Sequence, residues 1–254
     1  MNNLKPYIAR GFTALAVVFA TQALAGPEVN GITTRGPMGV TADTAPTPVR
    51  TTPVQPLANV QPMSFEVNYV YRPGGRGELR ALTDGAVLRS GDHYKIQFTP
   101  EQDGYVYIFQ IDSKEAIYRL FPMDSFGSVD VSQHNPVKAG VTYTLPGDDK
   151  SFQLDQSKGV ESIFFMAFRE RNLPLESQYR NLVKALRSRS EQLPLLAANM
   201  VNNIRVRGIA AIVDDPKGDT TQVQWDATES FQVPVRRVDN LCADCVTSIT
   251  FKHR

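Results

Sequence analysis

The stretch that decides the fold is HYKIQFTPEQDGYVYIFQI, residues 93–111. From Tyr94 to Phe98, aromatic and aliphatic residues alternate with polar ones, which is the two-residue period of a β-strand with one buried face. The segment TPEQDG, residues 99–104, is rich in turn-forming residues. Residues 105–111 are apolar on both faces, as in a central buried strand. This stretch therefore predicts two strands separated by a turn.

Similar strand patterns recur on both sides of this stretch, separated by Gly, Pro and Asp turns. They cover residues 65–71, 117–121, 141–145, 152–154, 163–168, 204–213, 222–225, 231–235 and 247–251. Many short strands at such spacing are typical of an all-β sandwich or barrel. We predict a mainly β fold over residues 64–254, a β-sandwich of immunoglobulin-like or similar Greek-key type.

One segment has helical rather than strand periodicity. Tyr179, Leu182, Val183 and Leu186 recur at positions i, i+3, i+4 and i+7, which predicts an amphipathic helix over about residues 175–188. A second short helix is expected over 194–201. The sandwich is therefore predicted to carry a helical insertion at about 175–201.

The N-terminus has the features of a secretory signal peptide. Lys5 and Arg10 precede an apolar run over residues 12–20, and Ala23-Leu24-Ala25 is a small-x-small cleavage pattern. We predict that residues 1–25 are removed on export, with a retained anchor as the alternative. The periplasm is the expected compartment, and an outer-membrane-associated or extracellular location is the alternative.

Residues 26–63 are rich in Pro and Thr and lack periodic hydrophobic residues. Proline suits neither a helix interior nor a central strand. We predict a flexible tether there, with a partner-binding polyproline segment as the alternative.

Cys242 and Cys245 are the two cysteines of the chain and form the motif CADC. In an oxidising compartment, two thiols so close in sequence most often pair. A local disulfide is the leading prediction, and redox exchange, metal binding and free thiols are the alternatives. The residues after Cys245 resemble a strand, whereas a redox cysteine is typically activated at a helix N-terminus.

Residues 88–169 resemble the bacterial family called domain of unknown function 4384. The resemblance rests on five motifs: DGYVYI at 103–108, LFP at 120–122, VKAG at 137–140, YTLP at 143–146 and GVESI at 159–163. It implies a small β module of exported or envelope proteins, which elsewhere is an accessory part fused to kinase-like or protease-like domains. The motif residues are of structural types, and none of them forms a nucleophile with its base.

Charge is nearly balanced over the chain, with 27 Lys and Arg against 26 Asp and Glu, which disfavours a strongly basic nucleic-acid binder. Residues 169–207 are an exception, with a local formal charge of +5. Arg180, Lys184 and Arg187 share one face of the predicted helix. This face is predicted either to contact an anionic lipid, glycan or protein, or to be a solvated polar face.

Catalytic and metal-binding motifs are absent from the sequence: it contains no Gly-x-Ser-x-Gly elbow, no His-Glu-x-x-His helix and no phosphate-binding Walker loop. His93, His134 and His253 are the three histidines, and each is predicted to be solvated. We therefore predict no catalytic residue, no metal and no cofactor.

The leading functional hypothesis is an exported binding or scaffold module of the cell envelope, without catalytic activity. One alternative is a thiol-disulfide redox protein using Cys242 and Cys245. Another is a regulatory accessory subunit of an envelope kinase or protease system, which rests on the family resemblance alone.

Overall fold

The structure, a computed structural model, describes residues 61–126, 129–214 and 218–254. The predicted signal peptide lies outside these residues, as does the predicted tether except for its last three positions.

The described residues contain seventeen strands, two α-helices and a short 3-10 helix at Pro73–Gly75. In chain order the strands and α-helices are β1 (Met63–Arg72), β2 (Arg80–Ala81), β3 (Val87–Leu88), β4 (His93–Pro100), β5 (Tyr105–Ile111), β6 (Ile117–Phe121), β7 (Met123–Phe126), β8 (Val129–Gln133), β9 (Tyr143–Leu145), β10 (Phe152–Gln153), β11 (Gly159–Phe168), α1 (Leu173–Arg187), α2 (Leu193–Arg205), β12 (Gly208–Ile209), β13 (Val213–Asp214), β14 (Thr220–Gln224), β15 (Ser230–Pro234), β16 (Arg236–Leu241) and β17 (Cys245–His253).

Two large sheets stack face to face. The first has the strand order β10-β4-β1-β16-β13, with β9 added to β4 and β2 added to β1. The second has the order β12-β17-β11-β5-β6, with β3 added to β17. The long strands pair with their neighbours in antiparallel orientation, as in β1–β4, β11–β17 and β11–β5. The short strands β3 and β12 run parallel to β17. The prediction of a mainly β, sandwich-like fold is confirmed.

The main core lies between the two sheets, where strand alternation directs one set of side chains inward. Phe65 and Phe98 from the first sheet both contact Phe165 from the second, with ring centroids 5.0 and 5.4 Å apart. All three are essentially inaccessible to solvent. Burying a side chain of this size contributes roughly 1.5–3 kcal/mol, so the stack is a major source of stability.

The outer face of the second sheet is covered by the helices. Tyr107, Phe109 and Met166 on that face pack with buried residues of the helices, among them Leu182 and Met200. This covering explains why β5 is apolar on both faces. The predicted helical insertion at 175–201 is present, and its two helices extend slightly beyond those bounds at both ends. The strand predicted over 204–213 was wrong, because α2 continues to Arg205 and over residues 206–214 only the two-residue strands β12 and β13 follow.

The outer face of the first sheet is covered as well, by the hairpin β14–β15. Val70 and Leu79 pack there against Val223, Trp225 and Val233 of the hairpin. The alternation in β4 predicted a solvent-facing side for its polar residues, and this was wrong for Lys95, which is fully buried. Its side of the sheet is closed by a hairpin that lies more than 120 residues later in the chain.

Candidate functional site

The first helix is held on the second sheet by polar contacts at its N-terminal end. The Asn172 side-chain oxygen accepts a hydrogen bond from the Leu175 N–H at 3.0 Å, which caps the helix. The Tyr107 hydroxyl donates to Glu176 at 2.8 Å, and Arg171 donates two hydrogen bonds from Nε and one from Nη2 to the same carboxylate. The Arg171 guanidinium holds the pKa of Glu176 below its ordinary value.

The second helix runs back along the first. Residues 188–192 connect the two helices, and Asn203 near the end of α2 donates a hydrogen bond of 2.6 Å to Gln178 near the start of α1. The pair is therefore an antiparallel helical hairpin lying on the sheet.

Each helix of the hairpin has an exposed side opposite the side that packs on the sheet. Because successive helical residues are rotated by about 100°, residues spaced 4, 7 and 11 apart lie on the same side. We define the outer helical face as nine exposed residues that fit this spacing: Leu173, Ser177, Arg180, Lys184 and Arg187 on α1, and Leu195, Asn199, Asn202 and Val206 on and just after α2. The predicted contact residues are thus brought together on one exposed surface.

The three cations of this face differ from Arg171 and Arg205, which are the paired cations of the helical layer. Arg171 pairs with Glu176 at 2.7 Å, and Arg205 pairs with Glu115 at 3.0 Å. Within the described ranges, Arg180, Lys184 and Arg187 are in no ion pair. The second helix contains no acidic residue at all. The outer helical face therefore presents three positive charges that are in no ion pair with a described residue, and one of them, the Arg180 charge, helps to lower the pKa of Glu176.

The outer helical face also exposes large aliphatic side chains, which the sequence analysis did not identify. Leu173, Leu195 and Val206 are 57%, 63% and 80% exposed. Leu195 and Val206 are eleven residues apart, and so are Leu173 and Lys184. Applying the helical period to the predicted helices would have found Leu195, whereas Leu173 and Val206 lie outside the predicted helix bounds.

Cys242 lies in the turn between β16 and β17, and Cys245 is the first residue of β17. The Cα atoms of Cys242 and Cys245 are 4.9 Å apart, and the two sulfur atoms are at disulfide distance. Arg207 donates a hydrogen bond of 3.2 Å to the carbonyl of Ala243 between them. Neither cysteine is at the N-terminus of a helix, the position where the helix dipole would lower a thiol pKa.

A chain of polar side chains crosses the space between the sheets, and the sequence analysis missed it. The Tyr94 hydroxyl donates to Gln110, whose amide donates to Glu161 at 3.0 Å. The other oxygen of Glu161 lies 3.4 Å from Nδ1 of His253. Nε2 of that imidazole lies 3.0 Å from the hydroxyl of Ser90. The connection serine–imidazole–carboxylate is the one that activates a serine nucleophile in hydrolases.

The prediction that His253 is solvated was wrong, because only 2% of it is exposed. Thr247, Ile249 and Phe251 of β17 are buried, and His253 continues their alternation to the end of the strand. That alternation was the signal for its burial. His134 is exposed, as predicted. His93 is half-buried, with Nδ1 2.7 Å from the Ser151 hydroxyl.

The turn that carries Ser90 lacks the donors that acyl transfer needs. A tetrahedral oxyanion is stabilised by free main-chain N–H groups beside the nucleophile. The four N–H groups of residues 89–92 instead donate, in order, to Asp92 Oδ2, Arg254 O, Leu154 O and Arg89 O, at 2.8, 3.3, 2.9 and 2.9 Å. We therefore interpret the polar chain as structural: it links the first sheet to the second, and it links β17 of the second sheet to the turn that carries Ser90.

Glu161 is the buried acidic group of the polar chain, and its surroundings shift its pKa. Burial raises the pKa of its carboxyl, and the hydrogen bonds from Gln110 and His253 oppose that effect. The negative charge of Asp112 raises the pKa further. A buried carboxylate of this kind is tolerable only while its hydrogen-bond partners are in place.

A second buried polar cluster joins the hairpin β14–β15 to the first sheet. The Lys95 ammonium donates to the carbonyls of Gly147, Asp148 and Trp225. Burial lowers the pKa of Lys95 to about 8, against the opposing charge of Asp148. Arg72 lies over the Trp225 ring, 4.9 Å from its centroid. All three ammonium protons have acceptors, so Lys95 acts as a clamp and not as a free nucleophile.

No metal-binding group or membrane-spanning helix is found in the part of the chain that the structure describes. Within residues 61–126, 129–214 and 218–254, no three His, Cys, Asp or Glu side chains are placed to hold a metal ion. In the same ranges, neither helix has the length and apolar character needed to cross a bilayer.

Taken together, the fold and the site define a sandwich-like β module with a basic helical layer on one face. Residues 87–171 match the family model described as "Domain of unknown function (DUF4384)", which confirms the resemblance for that third of the chain. The matched segment supplies β3 to β11, whereas β1, β16 and β17 lie outside it and complete the two sheets. No curated protein and no solved structure matches the chain.

Proposed function

We propose that the protein is an exported binding module of the cell envelope, without catalytic activity, that contacts an anionic partner through its outer helical face. One observation carries this proposal: Arg180, Lys184 and Arg187 are exposed on one side of α1 and are not paired with carboxylates of the described chain. Such a row of charges attracts an anionic surface and accelerates encounter with it.

The distribution of charge over the chain supports the same proposal. Residues 169–207 carry +5, although the whole chain carries only +1. The remainder of the chain therefore carries −4, which orients the helical layer toward an anionic partner and directs the rest of the module away from it.

Two groups of residues resemble catalytic sites: the Ser90–His253–Glu161 connection and the cysteine pair. The surroundings of both support a non-enzymatic module. The turn around Ser90 has no N–H group left to stabilise an oxyanion. The cysteine pair lies at the junction of two strands, where no helix dipole favours a thiolate. A regulatory role beside an envelope kinase or protease rests on the family resemblance alone, and such an enzyme should then co-purify with the protein.

The first test removes the three charges. We expect the triple variant Arg180→Gln, Lys184→Gln and Arg187→Gln to lose binding to immobilised anionic probes at low salt. Polyglutamate, alginate and phosphatidylglycerol vesicles represent an acidic protein, glycan and lipid. A charge near an anionic surface contributes about 1 kcal/mol, so the affinity for the preferred probe should fall by roughly a hundredfold. The measurement is a binding isotherm at several salt concentrations.

The matched control removes the same number of positive charges elsewhere. Arg76, Arg89 and Lys252 are exposed and lie outside the helical layer. Their replacement by glutamine should leave the isotherm nearly unchanged. Equal losses in the two triple variants, or no binding to any of the three probes, would contradict the proposed function.

A second test concerns export and the state of the cysteines. In a bacterial host, the intact mass of the exported protein should correspond to a chain that starts at Gly26. Without reductant, Cys242 and Cys245 should not react with a maleimide in the unfolded protein, because a disulfide leaves no free thiol. Retention of residues 1–25, or labelling of both thiols, would refute this part of the proposal.

A further inference from the structure

We infer that the anionic partner is the headgroup region of a lipid bilayer, and that the outer helical face lies flat on that surface. This inference rests on the proposed function and specifies the partner's chemistry. Its basis is the combination of two features on one face: the cations of α1, and the exposed aliphatic side chains at the ends of both helices.

The aliphatic residues favour a lipid over a soluble polyanion. Leu173, Leu195 and Val206 are each more than half exposed, and they belong to the same face as the cations. Alginate and polyglutamate have no apolar region that could cover these side chains. Interfacial helices, by contrast, bury apolar side chains at the boundary of headgroups and acyl chains while their cations contact phosphates.

The positions of these residues specify the orientation. Leu173 begins α1 and Leu195 lies in the first turn of α2, while Val206 directly follows the last residue of α2. Because the helices are antiparallel, Leu173 and Val206 lie at one end of the hairpin and Leu195 lies at the other. The span from Leu173 to Arg187 is roughly 21 Å at 1.5 Å per residue. Apolar residues at both ends require both helices to lie parallel to the surface.

The residues between the apolar ends suit the headgroup layer. Arg180 lies in the middle of α1 and Lys184 in its last turn, and from there their long side chains reach phosphates while their methylene groups stay near the apolar boundary. Asn199 and Asn202 occupy the corresponding exposed positions of α2 and carry no charge. The exposed side of α2 therefore offers nothing that an anionic lipid would repel.

The test is co-sedimentation of the mature chain, residues 26–254, with vesicles. We expect binding to mixed phosphatidylglycerol and phosphatidylcholine vesicles and no binding to pure phosphatidylcholine. The variant Leu173→Ser, Leu195→Ser and Val206→Ser should bind the anionic vesicles at least about tenfold more weakly, since three apolar side chains no longer enter the interface. The same variant should bind polyglutamate as the wild type does, if the wild type binds it at all.

A matched control separates this effect from a general loss of surface hydrophobicity. Val87, Val141 and Val160 are 46%, 45% and 49% exposed and lie outside the helical layer. Their replacement by serine should leave vesicle binding unchanged. Circular dichroism and thermal unfolding should show that all three aliphatic positions of the outer face can be changed without unfolding the protein, because each is exposed.

The outcomes distinguish the inference from the proposed function. Binding to polyglutamate or alginate that depends on Arg180, Lys184 and Arg187, without binding to anionic vesicles, would overturn the lipid inference and leave the proposed function standing. Vesicle binding that is unchanged by the three serine substitutions would overturn the inference in the same way. Failure to bind any of the three probes would overturn both.

Discussion

Replacing His253 by leucine is expected to lower the free energy of unfolding by about 3 kcal/mol at neutral pH, although the residue is the second from the C-terminus. The substitution removes the group that faces Glu161 at 3.4 Å and leaves that carboxylate buried with Gln110 as its remaining side-chain partner. It also removes the contact with Ser90 that fastens the last strand to the turn before β4. Urea denaturation monitored by circular dichroism measures the loss.

The pH dependence of this loss follows from Glu161. Burial already raises the pKa of Glu161 above its ordinary value, and losing His253 raises it further. A group with a raised folded-state pKa makes the folded state bind more protons than the unfolded state, so stability falls as the pH rises through that range. The difference between variant and wild type should therefore be small near pH 4 and should grow toward pH 7.

A double-mutant cycle provides the control. If the buried pair is coupled, Glu161→Leu combined with His253→Leu should destabilise the protein by clearly less than the sum of the two single changes. His93→Leu is a matched histidine change, because His93 is half-buried and contacts the Ser151 hydroxyl. It should cost less than about 1 kcal/mol. Additive single effects, or a loss at His253 no larger than at His93, would contradict the coupling.

Replacing Trp225 by alanine is expected to destabilise the protein by about 3–5 kcal/mol and to detach the hairpin β14–β15 from the first sheet. The indole is 7% exposed, packs with Val70 and Leu79, and lies beneath the Arg72 guanidinium. Its removal leaves a cavity and opens the Lys95 ammonium to water. Denaturant unfolding gives the free energy, and amide hydrogen exchange over residues 220–234 reports whether the hairpin has detached.

Two variants serve as controls for the hairpin. Trp225→Phe keeps a ring over Val70 and should cost less than alanine, while Phe231→Ala changes a partly buried aromatic residue of the same hairpin and should also have a smaller effect. The interpretation fails if Trp225→Ala costs less than about 1 kcal/mol, or if exchange over residues 220–234 is unchanged.

Both destabilising variants should bind the anionic probes as the wild type does under conditions where they remain folded. His253 lies between the sheets and Trp225 lies against the first sheet, whereas the outer helical face is the exposed side of the helices that cover the second sheet. Stability and binding are therefore separable by mutation, which makes the surface variants interpretable.

Periodicity in the sequence was sufficient to predict most of the long strands, the helical insertion and the shared face of Arg180, Lys184 and Arg187. It missed β7, β8 and β16, and it was wrong in assigning a strand to the end of α2. Those properties are local, because strand alternation and the helical turn depend only on residues a few positions apart. The turn motifs of residues 88–169 were also recognisable, and the family match covers nearly the same segment. The same helical period would have added Leu195 to the face, whereas Leu173 and Val206 lie outside the predicted helix bounds.

Burial of the polar residues depended on segments far away in the chain. Lys95 belongs to a strand whose alternation separates polar from apolar residues, yet a hairpin more than 120 residues later covers the polar side and supplies a carbonyl acceptor. His253 meets Glu161 and Ser90 across separations of 92 and 163 residues. A local pattern indicates that one side of a strand or helix is more apolar than the other. Which distant segment covers each side depends on the packing of the whole chain. That packing must bury apolar surface and also give each buried polar group a hydrogen-bond partner.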